Sequence, residues 1–294
     1  MGKDLAAAFA PARETFEEVD EALKQKLSIL MFEGPEEDLT LTENAQPALM
    51  AVSMAVIKVL EREGGLNMGT DAQFVAGHSL GEYSALAAVG SISLTEAADL
   101  LRIRGRAMQD AAPIGLGAMA AILGLNFAAV AEIAAAAAEG DVCVAANDNA
   151  PGQVVVSGHA TAVSRVVDLA KEKGARRSVV LPVTVPSHCP LMAPAADVIA
   201  AALSAVEIAP PPVPVVTNVD AHAVTTPEDI RAALVAQVTG MVRWRESVLW
   251  LRDQEVERLI EVGAGKVLSG LARRIDKGLD ALSLSDPEQI EAFL

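Results

Sequence analysis

The 294-residue sequence predicts an α/β protein in which a smaller α/β unit is inserted into a larger one. Two observations carry this expectation. The first is a short apolar run, Phe74-Val75-Ala76, that meets Gly77-His78-Ser79-Leu80-Gly81 and passes at once into a helical run over 83–89. The second is an alternation of strand and helix patterns over 118–183 in the order βαββαβ, flanked by longer helical stretches.

Taken in order, the chain opens with a helical pattern over 5–23, with Pro11 placed to start a second helix. Asn44 is positioned to cap a helix over 45–63, which Gly64-Gly65 would close. The apolar run and its Gly-x-Ser-x-Gly follow. Ser93-Leu94-Thr95-Glu96 has the form of a capping box opening a helix to about residue 112, ended by Pro113 and Gly115. Strands over 118–123, 142–146, 153–157 and 177–183 then alternate with helices over 127–138 and 161–173. This is the order of a ferredoxin-like split unit, whose ends lie close together. Beyond it come a helix over 191–205, the stiff connector Pro210-Pro211-Pro212, and a strand over 213–218. Helices over 227–238 and 244–252, a strand over 258–262 and a helix over 266–275 complete the pattern. The implied domains are a large one over 1–114 and 186–294 and a small one over 115–185.

Composition narrows the function. Hydrophobic residues make up 52% and aromatic residues only 3%, so the core is expected to be mainly Ala, Val, Leu and Ile. A formal charge of −16 argues against nucleic acid or an anionic membrane as principal partner. Two cysteines, Cys143 and Cys189, make neither a disulfide framework nor a zinc site, which fits a reducing compartment. No basic-then-apolar leader pattern is seen, and Glu132, Glu139 and Asp141 interrupt the apolar run over 127–146. The expectation is a soluble, cytoplasmic monomer without cofactor or metal.

The glycine-flanked serine has the strand–turn–helix context of a nucleophile elbow. Glycines lack a Cβ, so the backbone can turn sharply and leave Ser79 at the apex. The Leu80 N–H, at the start of the following helix, would face a developing oxyanion. The motif implies acyl chemistry on serine and leaves the acceptor open between water and another molecule.

Four histidines are available as a general base. His78 lies within the turn, where neighbouring side chains point apart. His159 at a strand end and His222 in a polar turn read as solvated. His188 lies in Pro186-Ser187-His188-Cys189-Pro190, a rigid loop at the boundary between the two expected domains, where sites are commonly held. Cys189 reads as a packed thiol. Arg102, Arg104 and Arg106 alternate along one helix and cannot all face one side. Arg102 and Arg106 are expected in solvent; Arg104, if inside, needs a carboxylate, and a substrate carboxylate would serve. Gly263-Ala264-Gly265-Lys266 lacks Walker spacing and has Val267 where Ser or Thr is required, so it reads as a tight turn.

Together these stretches resemble the malonyl-CoA:acyl carrier protein transacylase family of bacterial type II fatty-acid synthesis. The likeness is carried by Gly77-His78-Ser79-Leu80-Gly81-Glu82-Tyr83-Ser84-Ala85, Arg104-Gly105 and Asn149-Ala150-Pro151-Gly152-Gln153. Val185-Pro186-Ser187-His188-Cys189-Pro190-Leu191-Met192 and Glu261-Val262-Gly263-Ala264-Gly265-Lys266-Val267-Leu268 complete it. The resemblance implies an α/β-hydrolase-like large domain with a parallel sheet, an inserted ferredoxin-like small domain, and ping-pong transfer. Ser79 would be the acylated nucleophile, His188 its base and acid, Arg104 the grip on the malonyl carboxylate, and Leu80 an oxyanion donor. Gln237 aligns with a family residue whose main-chain carbonyl orients the histidine.

Family members open with a core strand and a Gly-Gln-Gly-Ser-Gln loop that supplies an oxyanion-hole glutamine. Met1-Gly2-Lys3-Asp4 stands beyond that point, which implies reduced turnover. An acidic carrier protein would need a basic landing site, for which Lys171, Lys173, Arg176, Arg177, Lys266, Arg273, Arg274 and Lys277 are available. The competing expectations are a serine hydrolase or thioesterase and a non-catalytic carrier-binding relative. A hydrolase of this elbow type places its histidine last, whereas here a long histidine-free segment follows His222.

Overall fold

The computed structural model describes residues 1–294. Its strands are β1 (Val75–Ala76), β2 (Gly117–Leu123), β3 (Cys143–Ala150), β4 (Gln153–His159) and β5 (Arg177–Val180). They continue with β6 (Val215–Val216), β7 (Ala223–Val224), β8 (Arg258–Val262) and β9 (Asp280–Leu284). Parallel pairs β1–β6 and β8–β9 belong to the large domain, with β7 antiparallel on β6.

Helices form most of the large domain. Phe9, extended at φ −125°, separates Lys3–Ala8 from Ala10–Leu23, whose first turn holds Pro11. Thr42–Gly64 buries Ala48, Ala51, Val52, Ala55, Val56 and Val59, the i, i+3, i+4 stripe of a core helix. Gly65 ends it in the left-handed conformation at φ 70°. The cap differs from expectation. Asn44 lies inside the helix and Leu41 is the N-cap, because the Asn44 side chain instead donates to the Asp38 carbonyl at 2.8 Å. The helix Leu94–Ala111 begins with the expected capping box, Ser93 and Glu96 satisfying each other's backbone donors. It crosses Thr42–Gly64 at Gly105, where a Cβ would lie 2.5 Å from Glu43 Cα. That close approach brings the arginine-bearing helix against the floor of the site.

The inserted unit is a ferredoxin-like sheet of order β3-β4-β2-β5, antiparallel throughout. Helices Phe127–Ala138 and Ala160–Glu172 cover one face and share a core of Ile122, Val130, Val154, Val156, Val163 and Val166. Strand β3 runs on to Ala150, longer than its apolar pattern suggests, because its polar end stays paired with β4 and also pairs with Val242 on its other edge. Asp148 N donates to Val242 O and Val242 N to Ala146 O, both at 2.9 Å. Asp148, 1% exposed, also takes a two-pronged hydrogen bond from Arg245, at 2.9 Å from Nε and 2.7 Å from Nη2. Small and large domains are thus joined by backbone pairing and a charged fork. No helix is long and apolar enough to cross a membrane.

Candidate active site

The elbow is closed by sterics. A Cβ on Gly77 would sit 1.9 Å from Gly81 O, so only glycine allows strand and helix to approach this closely. Ser79 stands at the apex with φ 54°, a left-handed conformation that a non-glycine residue holds only when its surroundings impose it. Two side chains impose it here. Asn218 Oδ1 accepts from Ser79 N at 2.6 Å while its Nδ2 donates to Gly77 O at 2.7 Å. Gln237 Nε2 donates to Ser79 O at 3.1 Å. The helix Gly81–Ala88 departs immediately, and the Leu80 N–H at its start has no acceptor within the protein.

His188 Nε2 lies 2.8 Å from Ser79 Oγ, and its Nδ1 lies 2.8 Å from the Gln237 main-chain carbonyl. A carbonyl can only accept, so Nδ1 carries the proton and the Nε2 lone pair faces the serine hydroxyl. Burial, with the Arg104 guanidinium adding to it, pushes the imidazole pKa down to about 3. His188 is therefore neutral at physiological pH and able to accept a proton.

Arg104 is 1% exposed. Its Nη1 donates to Gln46 Oε1 at 2.6 Å, and its Nη2 donates to Gln237 Oε1 at 2.9 Å and to Ser79 Oγ at 3.0 Å. The protein supplies amides and a hydroxyl but no carboxylate within ion-pairing distance, and Nε has no partner. Tyr83 adds its ring face 5.9 Å from the guanidinium carbon. A buried cation held this way is prepared for an anionic ligand. Its neighbours divide. Arg106 is exposed and pairs with Glu43 at 2.7 Å. Arg102, expected in solvent, is 8% exposed, because its helix turns that face toward Glu43 at the start of Thr42–Gly64.

The remaining sequence candidates lie off the reacting atoms. His78 points away from Ser79, to Asn149 Oδ1 at 2.8 Å, and packs against the Trp244 ring. His159 accepts from Val142 N, and His222 is exposed. Cys189 is fully buried, its Sγ 3.1 Å from Pro186 O. After the Gly263–Gly265 turn the free N–H groups of Leu268 and Ser269, in the first turn of the helix Val267–Ile275, are taken by the Glu261 carboxylate, so that helix start is already occupied by an anion of the chain itself. Sequence reasoning missed Gln46, Asn218 and Glu82. Only Glu82 carried a signal, its place directly after the elbow; the other two sit in helix and loop stretches with no distinguishing pattern.

A cleft opens over this group, lined by Gln46, Ser79, Leu80, Arg104, Met108 and Val183 among others. The serine lies at its base with a proton acceptor on one side and a guanidinium on the other. An elbow serine so placed in an α/β fold is the arrangement of proteins that carry acyl groups on serine.

Comparison with known proteins agrees. The acyl transferase domain family matches residues 1–282, and the chain belongs to that family. It is 46% identical to the malonyl CoA-acyl carrier protein transacylase of Escherichia coli K12, over all of this chain and 94% of the relative. Among solved structures it is similar to the acyl-carrier-protein-S-malonyltransferase of Bartonella henselae, with 54% identity and a TM-score of 0.97, covering 100% of this chain and 93% of that one. A malonyl-transacylase in complex with its type II PKS acyl-carrier protein is 42% identical with a TM-score of 0.95, covering 99% and 93%.

Proposed function

We propose that this chain transfers a malonyl group from malonyl-CoA to the phosphopantetheine thiol of an acyl carrier protein, through a malonyl ester on Ser79, in fatty-acid synthesis. The observation that carries this reading is the position of Ser79 Oγ, 2.8 Å from His188 Nε2 and 3.0 Å from Arg104 Nη2 within one cleft. In the first half-reaction Oγ attacks the thioester carbonyl while His188 Nε2 takes its proton. Oxyanion charge develops before the Leu80 N–H, and collapse of the intermediate sends the proton from His188 to the departing CoA thiolate. In the second, the carrier thiol gives its proton to His188, attacks the ester, and Ser79 recovers its proton. Arg104 holds the free malonyl carboxylate throughout, a fork-to-fork pair for which neither water nor a neutral ester substitutes. His188 is oriented by a main-chain carbonyl, so no third carboxylate is required.

The domains divide at 1–114 with 186–294, and 115–185. The enzyme works as a cytoplasmic monomer without a cofactor. The carrier docks on Lys171, Lys173, Arg176, Arg177, Lys266, Arg273, Arg274 and Lys277, which are exposed and have no ion-pair partners.

Intact mass spectrometry after incubation with malonyl-CoA tests the whole. A malonyl adduct on Ser79, discharged by holo-carrier faster than by water, is expected. Release mainly as free malonate would make the protein a thioesterase, and no adduct at all would leave only a binding role.

A further inference from the structure

Glu82 lies one turn beyond Ser79 on the helix Gly81–Ala88, is 1% exposed, and takes no part in the steps above. Its Oε2 accepts two hydrogen bonds from residues distant in sequence: Gln237 Nε2 at 2.7 Å and Asn218 N at 3.1 Å. Both of those residues clamp the nucleophile. Asn218 holds Ser79 N and Gly77 O, and Gln237 holds Ser79 O. Gln237 also reaches the other two members of the site, Arg104 through its side-chain oxygen and His188 through its main-chain carbonyl. An amide has one donating and one accepting end. With the Gln237 nitrogen drawn to an acceptor at Glu82, its oxygen must face Arg104, which can only donate.

We propose that Glu82 is a positioning residue that keeps Ser79, His188 and Arg104 in register through Gln237 and Asn218. The inference deepens the malonyl-transfer reading and rests on it for the Arg104 branch. A single oxygen atom is the meeting point of the Gln237 side-chain amide and the Asn218 main-chain N–H, and these two residues fix the elbow. Removing it leaves the Gln237 amide free to rotate, its main chain less constrained, and the left-handed Ser79 supported on one side only. Active-site groups displaced by even 1 Å lose much of their advantage.

The test uses Glu82→Ala and Glu82→Gln in the full chain, with thermal stability measured alongside. Phenylmethylsulfonyl fluoride, an uncharged serine reagent, reports on Ser79 and His188 without calling on Arg104. Malonyl and acetyl loading from their CoA thioesters, compared with each other, report on Arg104. Glu82→Ala should slow sulfonylation about tenfold or more and malonyl loading further than acetyl loading. Glu82→Gln keeps an acceptor oxygen in place and should return all three rates to within about threefold of the parent. Parent-like rates in Glu82→Ala overturn the proposal. So do losses that Glu82→Gln fails to rescue and that track stability alone, since these describe a structural prop. If Glu82→Ala does not fold, Glu82→Asp, one methylene short of Gln237, replaces it, and unchanged sulfonylation in that variant is again the overturning result. The parent protein separates the two readings. If it accepts malonyl with no Glu82 dependence, the positioning role falls and malonyl transfer stands. If it refuses malonyl while sulfonylation still depends on Glu82, the transfer reading falls and the link to Ser79 and His188 stands.

Discussion

Arg104 donates through Nη2 to Ser79 Oγ at 3.0 Å, so the residue proposed to grip the substrate anion rests on the hydroxyl proposed to attack it. The serine hydroxyl then has one role left: it accepts from the guanidinium and gives its own hydrogen to the His188 Nε2 at 2.8 Å. A substrate carboxylate competing for Nη2 would release Oγ for attack.

This arrangement makes Arg104→Ala selective in its effect. Losing one partner of a desolvated charge pair costs about 2–5 kcal/mol, so malonyl transfer should fall by tens to thousands. Acetyl-CoA lacks the free carboxylate, and acetyl transfer should fall far less. Steady-state kcat/KM with the two thioesters measures the ratio, and equal losses would assign Arg104 a structural role.

His188→Ala removes the proton acceptor while leaving the elbow and the Leu80 donor. General acid–base groups contribute about 10²–10⁴, and single-turnover acylation should slow by that factor. Binding of malonyl-CoA, measured by calorimetry on the variant, should persist because Arg104 is intact. Retained acylation would place the proton transfer elsewhere.

The pH response follows from two buried groups. His188 has its pKa lowered from 6.5 to about 3, so the acylation rate should show no drop at the pH where an ordinary histidine gains its proton. Burial pushes the Glu82 carboxyl up from 4.5 to about 7, against the pull of Gln237, Asn218 and Arg104. Linkage gives the two groups opposite signs. The unfolded chain binds more protons at His188, so that contribution is present above 6.5 and lost as pH falls toward 3. The folded chain binds more protons at Glu82, so that contribution is present below 4.5 and lost as pH rises through 7. Melting curves across pH should show Glu82→Gln gaining on the parent as pH rises from 4.5 to about 7. They should show His188→Ala gaining as pH falls below 6.5.

Reversing Lys266, Arg273, Arg274 and Lys277 to glutamate should weaken transfer to the carrier while leaving malonyl loading of Ser79 unchanged. Exposed cations without carboxylate partners act on encounter and are screened by salt, so the defect should shrink as ionic strength rises. A carrier KM unaffected by the reversals would clear this surface of a docking role.

Local chemistry made part of this site legible in advance. Gly77 and Gly81 bracket a serine between an apolar run and a helix, and that pattern needs no tertiary information. The capping box at Ser93 is equally local. Asn218 was different: 139 residues separate it from the Ser79 N–H it holds, and nothing in its neighbourhood marks it; Gln237, 158 residues from Ser79, was reached through the family resemblance and not through any local pattern. Arg102 failed for a related reason. Its burial comes from the Glu43 helix crossing at Gly105, a contact between helices that one helix cannot announce. The strands β7 and β9 escaped notice because one is two residues long and the other depends on β8 for its pairing.

The fork from Arg245 to Asp148, with the Val242 backbone woven into the end of β3, has a consequence for protein engineering. A graft that exchanged the inserted unit alone would strand Arg245 opposite a foreign edge and leave Val242 without its backbone partners. Successful chimaeras should therefore carry residues 242–245 along with the insert, treating a piece of the larger lobe as part of the smaller one.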